Sequence, residues 1–300
     1  MRRKRVVYFQ RYCDTAMHTA PCQNSHPNLG SCHTLEVEGI SIHFVSEGKG
    51  TLVFCVHGSQ SWAFTWRYQV KPFAEAGYQV VAIDLPGNGY SAAPSHHDYS
   101  VAGNSRLIGR VLDGLHAQQV VFVASSAGGL PVLDFAIRHP ERTGALILSS
   151  TCGVHHSLPG LWNLVRLPLV GEAARLFLNP PLIRKNLVEA FADPQKVTAE
   201  IVEAYLRPLL RPGSWTTNLR TERNSDPTFV EQHLKDIHSP ALIIWGQEDA
   251  WHPATMAEVF HRQLPQAEVE ILSNCGHLPH EEQPESFNQL ALSFLERIGK

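Results

Sequence analysis

Five short, continuous apolar runs constrain this chain more than any other feature: Leu52 to Val56, Val80 to Ile83, Val120 to Val123, Ala145 to Leu148 and Ala241 to Trp245. None shows the polar/apolar alternation of a half-exposed strand, so each reads as a strand buried on both faces, the pattern of a parallel sheet. Stretches with helical spacing lie between them: Trp66 to Ala76, closed by Gly77, then Val101 to His116 and Gly128 to His139. Alternating strands and helices imply right-handed crossovers and a mostly parallel central sheet flanked by helices. A hairpin, Leu35-Glu36-Val37 and Ile40 to Val45 around Glu38-Gly39, precedes the alternation. A strand at Ala267 to Leu272 and a helix from Pro284 to Ile298 close it.

Past Thr151 the alternation stops. Residues 153–230 are rich in Leu and Pro, with helical patches at Leu161 to Val170, Leu182 to Ala192 and Ala199 to Leu210 and no strand. The expected organisation is an α/β core made of residues 34–152 and 231–300, interrupted by a helical cap, 153–230. The many large apolar residues from Leu158 to Leu178 suggest that part of the cap faces a cleft. Residues 1–33 begin Met1-Arg2-Arg3-Lys4-Arg5, lack a helix or strand period, and are expected to be a disordered basic leader.

With 300 residues, 43% hydrophobic, 18% charged and a formal charge of −3, the chain can bury a full core and shows no bias toward nucleic acid. No apolar run approaches the roughly 20 residues that span a bilayer. A soluble, cytoplasmic protein is expected, although the Arg-rich, acid-poor start leaves an organellar or exported destination open. Of the six cysteines, Cys13, Cys22 and Cys32 precede the core, while Cys55, Cys152 and Cys275 are far apart. The spacing matches neither zinc pairs nor a dense disulfide framework; the last three read as small buried hydrophobes, and a reducing compartment follows as the default.

The strand Val120 to Val123 runs into Ala124-Ser125-Ser126-Ala127-Gly128-Gly129, small residues just before a helix. A strand-turn-helix with a nucleophile at its apex needs small residues two before and two and three after that position, because strand and helix cross there. Centred on Ser126, those positions are Ala124, Gly128 and Gly129; centred on Ser125, a β-branched Val123 would stand at the crossing. Ser126 is the better candidate. Taken alone, such a tract could be an ordinary flexible loop, but functional groups of parallel sheets collect at strand carboxyl ends, and other polar clusters do so here. His57-Gly58-Ser59 follows one strand, Asp249 another and Gly276-His277 a third. Ser126, Asp249 and His277 thus follow in the order nucleophile, acid, base.

From residue 34 to 300 the chain resembles the α/β-hydrolase superfamily. The resemblance is carried by the His57-Gly58 loop, Asp84-Leu85-Pro86-Gly87-Asn88-Gly89-Tyr90-Ser91, the turn at Ser126, Gly246 to Asp249, and Gly276-His277. Trp62 to Tyr78, with Trp66-Arg67-Tyr68-Gln69, is similar to epoxide hydrolases and haloalkane dehalogenases in particular. Those use an Asp nucleophile; an alkylated Ser126 would be an inert ether, so the resemblance implies acyl transfer instead. It also implies that His277 acts as base, Asp249 orients it, and the backbone N–H groups of Ser59 and Ala127 form an oxyanion hole. Asp84 and His57 are read as structural. No metal or cofactor motif follows a strand, so neither is expected. The leading expectation is a serine hydrolase of a small, apolar carboxylic ester, lipid-like ester or lactone. C–C bond or amide hydrolysis by the same triad, and a non-catalytic binding protein on the same fold, are the alternatives.

Overall fold

The computed structural model describes residues 17–19, 29–155 and 164–300. Among the described residues nine strands form one sheet: β1 (Met17–Thr19), β2 (Ser31–Val37), β3 (Ile40–Gly48), β4 (Thr51–Val56), β5 (Tyr78–Ile83), β6 (Val120–Ser125), β7 (Thr143–Ser149), β8 (Ala241–Gly246) and β9 (Ala267–Leu272). Their order is β1-β2-β3-β5-β4-β6-β7-β8-β9. The first three are antiparallel and the other six parallel. Glu38 and Gly39, both at positive φ (52° and 76°), make the expected hairpin turn between β2 and β3.

The chain crosses from β4 to β5 on one side through α1 (Val70–Glu75), and from β5 to β6 on the other through α2 (Val101–Gly114). The strand order therefore reverses around β4. A crevice opens there because successive connections leave in opposite directions. The ends of β4 and β6, carrying His57-Gly58 and Ser126, flank that crevice.

Strand pleating sorts the core into two layers. Phe54, Phe122, Ala124, Ile243 and Trp245 face α2, α3 (Gly129–Arg138) and the helix Thr255–Gln263, whereas Val53, Cys55, Val121, Val123 and Ile244 face α1 and the closing helix Pro284–Arg297. Burial on both faces is why these strands read as unbroken apolar runs. β9 alternates instead, with exposed Glu268 and Glu270 along an edge strand, where charge discourages pairing with another chain.

Between β7 and β8 the described residues hold helices and no strand: α4 (Val170–Ala174), α5 (Pro180–Ala190), α6 (Ala199–Leu209), α7 (Ser214–Arg223) and α8 (Thr228–His233). Asn179 and Thr198 cap α5 and α6 through their side chains. Ile183, Leu187, Val202 and Leu206 join the second core layer. Of the apolar residues from Leu158 to Leu178, most of which are expected to pack the cap and a few to face a cleft, Leu164, Leu167, Leu169, Leu176 and Phe177 are exposed, and Leu158, Leu161 and Trp162 lie outside the described residues. The helical patch expected at Leu161 to Val170 is helical at residues 164–166 and again at Val170, where α4 starts, with 161–163 outside the described residues, while α7 and α8 gave no sequence signal because their polar faces break the apolar period.

The expectation of a structureless 1–33 needs correction at two places. Met17–Thr19 pairs with β2, and β2 itself starts at Ser31; residues 1–16 and 20–28 lie outside the described residues. Cys32 is disulfide-bonded, a pairing that the cysteine spacing does not suggest. Cys55 and Cys275 are free and buried as expected. Among the described residues no helix is long and apolar enough to cross a membrane.

Candidate active site

Ser126 sits at φ 51°, in the left-handed region, whereas Ser125 is ordinarily extended at φ −118°. A non-glycine residue is held there only where its surroundings over-determine it. Those surroundings are tight: a Cβ on Gly128 would lie 2.3 Å from the His57 carbonyl oxygen, and one on Gly129 only 1.6 Å from Thr151 Oγ1. Gly58 packs as closely on the apex, its Cβ position 2.9 Å from Ser126 Cβ. The small-residue pattern thus has a steric cause, and it sets the register on Ser126.

His277 Nε2 lies 2.9 Å from Ser126 Oγ, and its Nδ1 lies 2.8 Å from Asp249 Oδ2. Asp249 Oδ1 accepts from the backbone N–H groups of Trp251 and His252, which fixes the carboxylate plane. Burial pushes the Asp249 carboxyl up, but His277 beside it and these hydrogen bonds outweigh that and hold it below the usual carboxylate range. The structure therefore brings Ser126, His277 and Asp249 into one relay. Ser59 and Ala127 both line the cavity beside Ser126.

Asp84 and His57 hold loops, as expected. Asp84 accepts from the N–H groups of Ala63 and Tyr90 and contacts His43 Nδ1. His57 Nε2 accepts from the Leu85 N–H while Nδ1 faces the Gly58 carbonyl, so the ring is neutral with its proton on Nδ1. Glu248, the neighbour of Asp249, accepts from the Cys275 N–H instead.

Sequence reasoning missed several groups. Cys152 is only partly buried and lines the cavity, with Sγ 3.7 Å from His252 Nε2. His252 packs edge-on against His277 at 4.6 Å between ring centroids, and Trp251 covers another side at 4.9 Å. The ligand atoms of Asp249, His252 and His277 lie within 4.8 Å of one another. His252 Nδ1, however, faces the Ser150 carbonyl and must carry its proton. The pattern Asp-x-x-His could have pointed to His252; Cys152 gave no signal.

Behind the relay lies a wholly buried polar cluster. Arg67 Nη1 donates to Glu281 Oε2 at 2.7 Å, Glu281 Oε1 accepts from Thr65 and Tyr205, and His280 sits between Thr65 and Ser149. Burial drives the His280 pKa down to about 3, with the Arg67 and His277 charges adding to it and Glu281 opposing. Burial lowers that of His57 as well. Unfolded, both imidazoles would titrate near 6.5. As pH falls below that value the unfolded chain takes up protons that the native state refuses, so stability is full above about pH 6.5 and lost below it. Each histidine should cost up to about 1.4 kcal/mol per pH unit. Urea unfolding at pH 7, 6 and 5 checks this; a free energy that stays flat across that range would contradict it.

The cavity over Ser126 has a volume of about 430 Å³, within the usual range for small-molecule sites. Core residues and the helices after β7 both line it, the latter through Ile183, Asn186, Leu187, Tyr205, Leu209 and Glu222. Glu222 accepts a short hydrogen bond from the Ser59 side chain.

With fold and site in view, comparison gives the class: residues 53–290 match the alpha/beta hydrolase family, and the chain belongs to it. The chain is 31% identical over 298 residues to a 2-hydroxy-6-oxononadienedioate/2-hydroxy-6-oxononatrienedioate hydrolase of Paraburkholderia phymatum, covering 94% of this chain and 99% of that relative. It is 29% identical over 263 residues to the uncharacterized hydrolase YugF of Bacillus subtilis, covering 86% and 96%. A meta-cleavage product hydrolase of Pseudomonas fluorescens, 22% identical, superimposes with a TM-score of 0.78 over 91% of this chain and 99% of that one, which is a likeness of fold. The protein is a hydrolase of this superfamily.

Proposed function

We propose that the protein is a serine hydrolase that cleaves the C–C bond beside a ketone in a vinylogous diketone. The observation that carries this reading is the Ser126-His277-Asp249 relay in a chain whose relatives include 2-hydroxy-6-oxo-dienoate hydrolases at 28 to 31% identity over most of their length. In this mechanism His277 takes the Ser126 proton as Oγ adds to the ketone carbonyl. The N–H groups of Ser59 and Ala127 hold the developing oxyanion, where one donor is typically worth about 3 to 4 kcal/mol. The C–C bond then breaks, its electron pair passes into the conjugated enolate, and His277 returns the proton to that leaving group. Water attacks the acyl-serine by the same base and frees the acid. The helices after β7 act as a cap that keeps bulk water from the acyl group.

Ester hydrolysis is the second reading, and the cavity's lining favours it. Leu130, Val154, Ile183, Leu187, Leu209 and Leu278 make much of the wall apolar. A dienoate needs a cation for its carboxylate, and among the described residues Arg166 is the guanidinium at the cavity, with Nε and Nη2 both given to the Glu222 carbonyl. Rates on a 2-hydroxy-6-oxo-dienoate, followed by loss of its dienol absorbance, should exceed those on p-nitrophenyl esters from acetate to octanoate by at least about tenfold in kcat/KM, a difference of 1.4 kcal/mol. The reverse order assigns the ester reaction. In that case, at about 0.8 kcal/mol per buried methylene, kcat/KM should climb about a hundredfold or more from acetate to hexanoate.

A further inference from the structure

The loop that follows β4 is tied to the cap through successive residues. Ser59 Oγ donates to Glu222 Oε1, the Gln60 N–H donates to Asn218 Oδ1 at 3.2 Å, and Trp62 Nε1 donates to the Ala204 carbonyl at 2.9 Å. Ala204 belongs to α6, Asn218 and Glu222 to α7. Spaced four apart, Asn218 and Glu222 lie one turn from each other on the same face of α7, so they meet neighbouring residues of the loop.

Gln60 needs such a tie. Its φ is 54°, in the left-handed region, where a residue with a side chain stays only if its surroundings hold it. Released, Gln60 would relax to negative φ, and the loop on either side would turn, Ser59 included. Asn218 can hold it because its own amide is fixed. The residue is 5% exposed, and Nδ2 donates to the Ser214 carbonyl at 2.9 Å and to the Gly87 carbonyl at 3.4 Å. Turned over, the amide would set N–H against N–H, so one orientation alone satisfies all three bonds. α7 is closely seated at the same point: a Cβ on Gly87 would lie 1.7 Å from Thr217 Oγ1.

The loop also touches the nucleophile. The Cβ position of Gly58, the residue before Ser59, is 3.5 Å from Ser126 Oγ. Any turn of the loop therefore moves the Ser59 N–H relative to Ser126. Among the described residues that N–H donates to no protein acceptor.

We propose that Asn218 and Glu222 are positioning residues for the reaction: from the cap they hold the loop 59–62 so that the Ser59 N–H meets the oxyanion, and that donor is in place only while α7 is docked. The inference rests on the reading of Ser59 as an oxyanion donor in a serine hydrolase. It adds the cap helix that sets the donor, which the relay of Ser126, His277 and Asp249 does not involve.

The rate of fluorophosphonate labelling at Ser126 tests it without a known substrate, because the phosphoryl oxygen meets the same donors. Competition against labelling then gives the affinities of octyl trifluoromethyl ketone and of 2-decanone. Ser126 Oγ adds to the fluorinated carbonyl, its proton goes to His277, and the carbonyl electron pair becomes an oxyanion; 2-decanone occupies the cavity without that charge. Losing an oxyanion donor outright costs about a hundredfold or more, so displacing one in Asn218→Ala should slow labelling about tenfold or more. The trifluoromethyl ketone should weaken by a similar factor, and 2-decanone by less than about twofold. In a Gln60→Gly background the loss should shrink, because glycine adopts positive φ without strain. Ser59→Ala, at an exposed position, cuts the Glu222 tie alone without risk to folding and should slow labelling about threefold. Labelling within twofold of wild type in Asn218→Ala, equal weakening of both ketones, or an unchanged rate in Ser59→Ala would each overturn the proposal. A wild type that is not labelled at Ser126, or binds the trifluoromethyl ketone no tighter than 2-decanone, removes the hydrolase reading and the proposal with it. Wild-type labelling and tight ketone binding that the variants leave unaltered remove the proposal alone.

Discussion

Ser126→Ala should lower kcat by about four to six orders of magnitude, because in the proposed mechanism it removes the nucleophile and leaves only binding and the proposed oxyanion donors. Ser125→Ala should cost far less, since Ser125 lies on ordinary extended backbone and its Oγ meets neither His277 nor Asp249. The contrast is a direct test of register. Only one of two adjacent serines can occupy the left-handed apex at φ 51°, and the one that does points Oγ at His277 Nε2. Labelling with a fluorophosphonate and mass spectrometry of the modified peptide distinguishes the two. Labelling that persists in Ser126→Ala and vanishes in Ser125→Ala would show that the apex is one residue earlier.

Glu281→Ala should destabilise the fold by about 3 to 5 kcal/mol, the usual cost of stripping one partner from a buried ion pair. The Arg67 and Glu281 side chains are 1% and 0% exposed. The guanidinium lies against Phe64 and Tyr68, at 4.2 and 4.3 Å from their ring centroids, and cannot reach water when its carboxylate is gone. Thr65 and Tyr205 would lose their shared acceptor in the same step. For a chain of this length the loss corresponds to about 5 to 8 °C in Tm. The double variant Arg67→Met, Glu281→Leu should recover much of it, because no charge is left uncompensated. If Glu281→Ala melted within a degree of wild type, the pair would contribute nothing to the fold.

What was legible in the sequence was local. Buried parallel strands need continuous apolar runs, so β4 to β8 could be read directly. Crossing backbones at a sharp turn exclude side chains, so Ala124, Gly128 and Gly129 marked Ser126 as the apex. Functional groups of a parallel sheet collect at strand ends, so Asp249 and His277 stood out as candidates, and the resemblance to α/β-hydrolases supplied their roles and the choice of Asp249 over Glu248. The strands and the turn follow from constraints that act within a few residues. The neighbours of the relay were not legible, because they depend on how distant segments pack: Tyr205, Thr65 and Glu281 are separated by 76 residues or more along the chain, and meet because the helices after β7 fold back over the strand ends. The apolar residues from Leu164 to Phe177 suggested a cleft, yet burial went to Ile183, Leu187 and Leu209, since hydrophobicity drives association without direction and only the docked positions of α5 and α6 decide which side chains face the cavity. The sequence by itself thus determined the sheet, the turn and the candidate site residues; only the tertiary structure decided what surrounds them, because that depends on how segments far apart in the chain dock.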